Sequence, residues 1–144
     1  MHNDTLNLEA LQNVISSLED ALTVVGNSSW FNAQNSAVQN TLIAGVIQNF
    51  EFVYEISIKM IKRQLNLESA SPSEVDETDF RNILRMAAEK GLIANVEAWF
   101  TYRKMRNMTS HTYDHAKAQQ VYQGTLAFIS DARNLLKKLE ERNV

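Results

Sequence analysis

Ser36–Leu67, SAVQNTLIAGVIQNFEFVYEISIKMIKRQLNL, decides the fold. Leu42, Val46, Phe50 and Val53 draw one apolar row along a helix, and Ile43, Ile47, Tyr54 and Ile58 draw a second. Strand-like alternation is absent. A helix apolar on two sides is sandwiched between neighbours or between subunits, so this segment is the central helix of a bundle. Glu51, Glu55 and Lys59 follow along it at steps of four, stacked on one face.

Outward from that helix, the periodicity continues in both directions. Upstream, Leu8, Leu11, Ile15, Leu18, Leu22 and Val25 make one apolar stripe, stopped by Gly26 and the polar run Asn27, Ser28, Ser29. Downstream, Glu68–Asp76 (ESASPSEVD) holds the single proline, Pro72, and reads as a loop. A third helix is expected from Thr78 or Asp79 to Lys90, closed by Gly91, and a fourth through Val96, Trp99, Phe100 and Arg103 to Met108. A polar break over Thr109–Asp114 precedes a last helix carrying Val121, Phe128, Ala132, Leu135 and Leu139. The expectation is an all-α fold. One domain, residues 1–144, forms a bundle of about five helices with largely antiparallel neighbours.

Composition narrows the function. Apolar residues are 44% and charged residues 22% of 144, as in an ordinary globular chain. That length buries roughly two-thirds of its unfolded surface, so no staple is needed. There is no cysteine, which excludes thiol catalysis, cysteine zinc sites and iron–sulfur clusters and fits a reducing cytoplasm. No apolar run approaches the roughly 18 residues of a membrane span, and the N-terminus lacks the pattern of a signal peptide. The net charge of −3 argues against a bulk electrostatic nucleic-acid binder. All 14 Lys and Arg fall from Lys59 onward, however, so an anion site belongs in the second half.

Two of three histidines sit in RNMTSHTYDH, Arg106 to His115. Arg106, Asn107, Thr109, Ser110, His111, Tyr113 and Asp114 crowd a helix end, with Arg103 and Lys104 one turn earlier. A guanidinium beside an imidazole suits a phosphate. His111 and His115 share the spacing of two ligands on one helical face, but a third ligand is lacking and no metal is expected. Ser110 beside His111 has no nucleophile elbow, and no glycine cluster makes a phosphate loop. Phosphodiester cleavage without metal needs a base for a ribose 2′-hydroxyl and a fixed cation at phosphorus, and His111 and Arg106 are of those types. Glu51 and Glu55 are candidates to orient His111 or Arg106. Trp99 and Tyr102, at helical spacing beside Phe100, read as core.

Arg106–Tyr113, R-N-M-T-S-H-T-Y, matches the R-x4-6-H motif of HEPN domains, with asparagine directly after the arginine. The trailing tyrosine gives R-x4-H-x-Y. In this the chain resembles HEPN proteins paired with a minimal nucleotidyltransferase, the HepT-like or nucleotidyltransferase substrate-binding group. Phe50–Lys59 (FEFVYEISIK), Ser71–Pro72, Gly91–Leu92–Ile93 and Trp99 look like the same group. The resemblance implies a homodimer that assembles with a nucleotidyltransferase chain. Arg106 and His111 would form a ribonuclease site between subunits, acting on RNA as a toxin without a cofactor. Tyr113 would accept AMP from the partner, which silences the toxin. Asn107, Arg103 and Glu55 are further candidates for binding substrate or supporting that modification. The rival implication is a non-catalytic substrate-binding subunit of a two-chain nucleotidyltransferase, and a third is a purely structural dimer.

Overall fold

The computed structural model describes residues 5–70, 75 and 79–144. Its first helix, α1 (Glu9–Gly26), buries Leu11, Ile15, Leu18 and Val25 along the expected stripe. Asn27 then does what the sequence reading did not anticipate. Its side chain accepts from Trp30 N and starts a five-residue helix, α2 (Ser28–Asn32). A single turn of helix leaves no periodic signature, so the polar run read only as a stop. Asn35 caps the central helix, α3 (Ser36–Glu68), by accepting from Val38 N at 2.9 Å. Val46, Phe50 and Val53 of one row, and Ile43, Ile47, Tyr54 and Ile58 of the other, are all buried.

The next helix, α4 (Phe80–Glu89), is capped by Asp79, inside the expected start. It ends in a left-handed Gly91 at φ +77°, with Gly91 N bonded to Ala88 O and Leu92 N to Ala87 O. These are the two bonds of a Schellman stop, which favours a residue without Cβ. Asn95 caps α5 (Val96–Met108). A 3-10 turn, Thr109–His111, follows directly, and Asp114 caps α6 (His115–Arg142). The polar break therefore falls where it was expected. His2 and Ser71–Pro72 lie outside the described residues; of the stretch read as a loop, Glu68 still belongs to α3 and Val75 is helical and buried.

Six α-helices and no strand are present among the described residues, an all-α bundle. α1 runs antiparallel to α3 and α6. Ser17 bonds Asn49, Gln12 bonds Glu140, and Glu19 pairs with Arg133. α5 runs antiparallel to α6, since Tyr102 bonds Asp131 while Gly124 faces Met105. The pair α3 and α6 is parallel. Gln64 meets Asn143 and Glu68 meets Arg142 at one end, while Asn40 and Thr112 line one cavity at the other. The segment containing α4 and α5 is the crossover that makes this possible.

Phe128 centres the core. Phe50, Tyr102 and Trp99 approach its ring edge-on at 4.8, 4.9 and 5.8 Å between centroids. Such contacts add about 0.5–1.5 kcal/mol each beyond area burial. Trp99 and Tyr102 are core residues, as their spacing indicated. Among the described residues no helix is long and apolar enough to cross a membrane.

Candidate functional site

The last turn of α5 faces α3, and there the motif arginine is tied down. Arg106 Nε and Nη2 donate to Glu55 Oε1 at 2.9 and 2.6 Å. Nη1 donates to Thr109 Oγ1 at 3.2 Å, and the Thr109 hydroxyl in turn donates to the Arg106 carbonyl at 2.7 Å. Glu51 Oε2 stands 3.8 Å from Nη1, an ion pair without a hydrogen bond. The two stacked carboxylates of α3 thus both converge on Arg106, not on His111. A guanidinium has five N–H donors, so one on Nη1 and one on Nη2 stay open. With its side chain 34% exposed, Arg106 is fixed in direction yet reachable.

His111 ends the 3-10 turn that packs against α3 and α6. Its carbonyl accepts from Asp114 N at 3.1 Å, while its imidazole is exposed and bonded to no side chain among the described residues. The Tyr113 ring meets it edge-on, 6.1 Å between centroids. Tyr113 itself is 82% exposed, so its hydroxyl stands open to a bulky reactant. His115 opens α6 beyond the turn, so the two histidines do not share one helical face. Among the described residues no three histidine, aspartate or glutamate side chains gather as metal ligands.

The other two candidates lie on the adjoining side of α5. Arg103 stacks on the Phe80 ring at 4.0 Å, and Asn107 lines the cleft between α4 and α5. Sequence reasoning gave no functional weight to Tyr54. Its phenol is 5% exposed and bonded to nothing among the described residues. Burial pushes that phenol above its ordinary value, against the lowering pull of Arg103 and Arg106. A tyrosine in an apolar row looks like core, and only the packing brings it within the field of two guanidinium groups. Thr109 was visible as one of the polar cluster, but not as the clasp on Arg106.

An all-helical bundle has its motif arginine clasped to the central helix, with an exposed imidazole and phenol on the turn and linker that follow. The chain belongs to the family described as nucleotidyltransferase substrate binding protein like, whose model matches residues 6–141. It is 46% identical over 143 residues to a Haemophilus influenzae protein named probable ribonuclease HepT, across 99% of this chain and 98% of that one. It also resembles a solved Haemophilus influenzae structure at TM-score 0.91 and 45% identity, covering 93% of this chain and 99% of that one. That structure is described as revealing the fold of a substrate binding domain of a nucleotidyltransferase.

Proposed function

We propose that this chain is a metal-independent endoribonuclease of the cytoplasm, the toxin of a toxin–antitoxin pair, working as a homodimer beside a nucleotidyltransferase chain. The observation that carries the reading is the clasp on Arg106. Two of its donors are left unspent in a chain 46% identical to a protein named probable ribonuclease. In the reaction His111 takes the proton from a ribose 2′-hydroxyl as that oxygen forms its bond to phosphorus. The bond from phosphorus to the 5′-oxygen breaks, and the protonated imidazole returns its proton to the departing oxygen. The products are a 2′,3′-cyclic phosphate and a 5′-hydroxyl. Arg106 presents its open N–H edge to the phosphoryl oxygens, where charge builds.

Tyr113 is the proposed brake. Its phenol oxygen attacks the α-phosphorus of ATP held by the partner, pyrophosphate leaves, and the phenol proton is lost to solvent. The resulting phosphodiester adds a negative charge and a nucleoside two residues from His111, and competes for Arg106. With the partner and ATP, intact mass should rise by one or more AMP units, and Tyr113→Phe should abolish the rise. A rise that survives in Tyr113→Phe refutes the assignment.

Incubation of the purified chain with RNA in EDTA tests the ribonuclease. Cleavage is expected, and His111→Ala should reduce it by about 10²–10⁴-fold. Intact RNA with the wild type, or equal cutting by His111→Ala, overturns the reading. A second reading is a non-catalytic subunit that presents substrate to the transferase, favoured by the description of the solved neighbour. It predicts that Arg106→Ala weakens ligand binding while RNA survives every assay.

A further inference from the structure

Among the described residues three cations, Arg81, Arg103 and Lys104, line the cleft between α4 and α5, joined by Phe100, Asn107 and one carboxylate, Glu97. The cleft encloses about 330 Å³. On a chain of net charge −3 that local balance is the reverse of the whole. Three other arginines, Arg106, Arg133 and Arg142, are spent on carboxylates. Among the described residues no carboxylate pairs with Arg81, Arg103 or Lys104. Two of these cations rest on rings instead. Arg81 lies 4.4 Å from the Phe100 centroid and Arg103 4.0 Å from that of Phe80. A guanidinium stacked by its face keeps its N–H edge free and loses little further freedom on binding an oxyanion.

The cleft lies on the same helix as the motif arginine, on the adjoining side of α5. Asn107, which follows Arg106 directly, lines it, and the charges of Arg103 and Arg106 both act on the buried Tyr54 phenol. From Asn107 to Phe100 the lining spans about 10 Å of helix, longer than the reach of one phosphate. Phe100, the ring that lines it among the described residues, is buried and carries the Arg81 guanidinium, which leaves it little open face for a base. These features suit the backbone of a single strand and give no sequence readout.

We propose that the α4–α5 cleft is the track along which the RNA backbone leaves the scissile phosphate. Arg81, Arg103 and Lys104 contact flanking phosphates in sequence-independent fashion. The proposal rests on the ribonuclease reading for its substrate, but its test separates the two. In a His111→Ala background, where RNA stays whole, Arg81→Gln with Lys104→Gln should weaken binding of a fluorescein-labelled single-stranded RNA about tenfold or more. The slope of log affinity against log salt should fall by about 1.4, some 0.7 for each phosphate no longer neutralised. In the otherwise wild-type chain the same pair should raise KM and leave kcat unchanged, the mark of binding shared by ground and transition states. Both residues are exposed, and Lys104→Gln alone disturbs no stacked ring, so a loss of affinity in it cannot be blamed on packing. Lys137→Gln, one turn beyond Arg133 on α6, should change nothing.

Unaltered affinity and salt slope in the double variant overturn the proposal. So does intact RNA binding with lost co-purification of the nucleotidyltransferase, which would make the cleft a protein interface. RNA that the wild type binds but never cuts strikes the ribonuclease reading and leaves the cleft standing.

Discussion

Tyr54 stands one residue before the glutamate that holds Arg106, and its hydroxyl is buried without a partner among the described residues. An unsatisfied buried hydroxyl costs about 1–3 kcal/mol. Tyr54→Phe removes the polar atom and keeps the ring, so denaturant unfolding at neutral pH should show a gain of about 1 kcal/mol. The pH dependence follows from the raised phenol. The unfolded tyrosine ionises near pH 10 while the folded one keeps its proton, so the folded state binds more protons above that pH. Stability is therefore lost as pH rises past about 10, at roughly 1.4 kcal/mol per pH unit for this group. The gap between Tyr54→Phe and the wild type should widen between pH 9 and 11. A variant less stable than the wild type at pH 7 would show that the hydroxyl is bonded in solution.

Asp114 governs the element that carries the motif. Its Oδ1 accepts from Ala116 N at 2.9 Å and from Lys117 N at 3.4 Å, satisfying the first turn of α6 immediately after Tyr113. Asp114→Ala should cost about 1 kcal/mol in chemical denaturation, and Asp114→Asn, which keeps an acceptor, should recover most of it. Equal losses in the two variants would assign the effect to the aspartate charge at the helix N-terminus, not to the cap. The helices themselves were readable from apolar periodicity, and the structure adds Asn35, Asp79, Asn95 and Asp114 as the side-chain caps at their starts. α2 was not, since five residues make less than two turns.

At the scale of the molecule, the two apolar rows of α3 prove to be covered within one protomer. Ile43, Ile47, Tyr54 and Ile58 are buried without any second chain. The sandwich inferred from those rows is therefore made by neighbouring helices, and the proposed homodimer has only the apolar surface that α3 leaves open to draw on. Phe52 remains 47% exposed and Val38 36%. Sedimentation equilibrium at micromolar concentration should give twice the chain mass. A monomer across that range would overturn the dimer.

The sequence by itself determined the helical class, the positions of five of the six helices among the described residues, the seat of the polar break, and Arg106 and His111 as the pair to examine. Each of these is written in neighbouring residues, as a periodicity, a cap or a short motif. Only the tertiary structure decided the partners across the chain. Glu55 lies 51 positions from the arginine it binds, and Phe80 lies 23 before the guanidinium it carries. The parallel course of α3 and α6 and the cationic cleft on α5 depend likewise on how α4 and α5 cross over. Such contacts are fixed by the packing of whole helices against one core, and no local window of sequence contains that information.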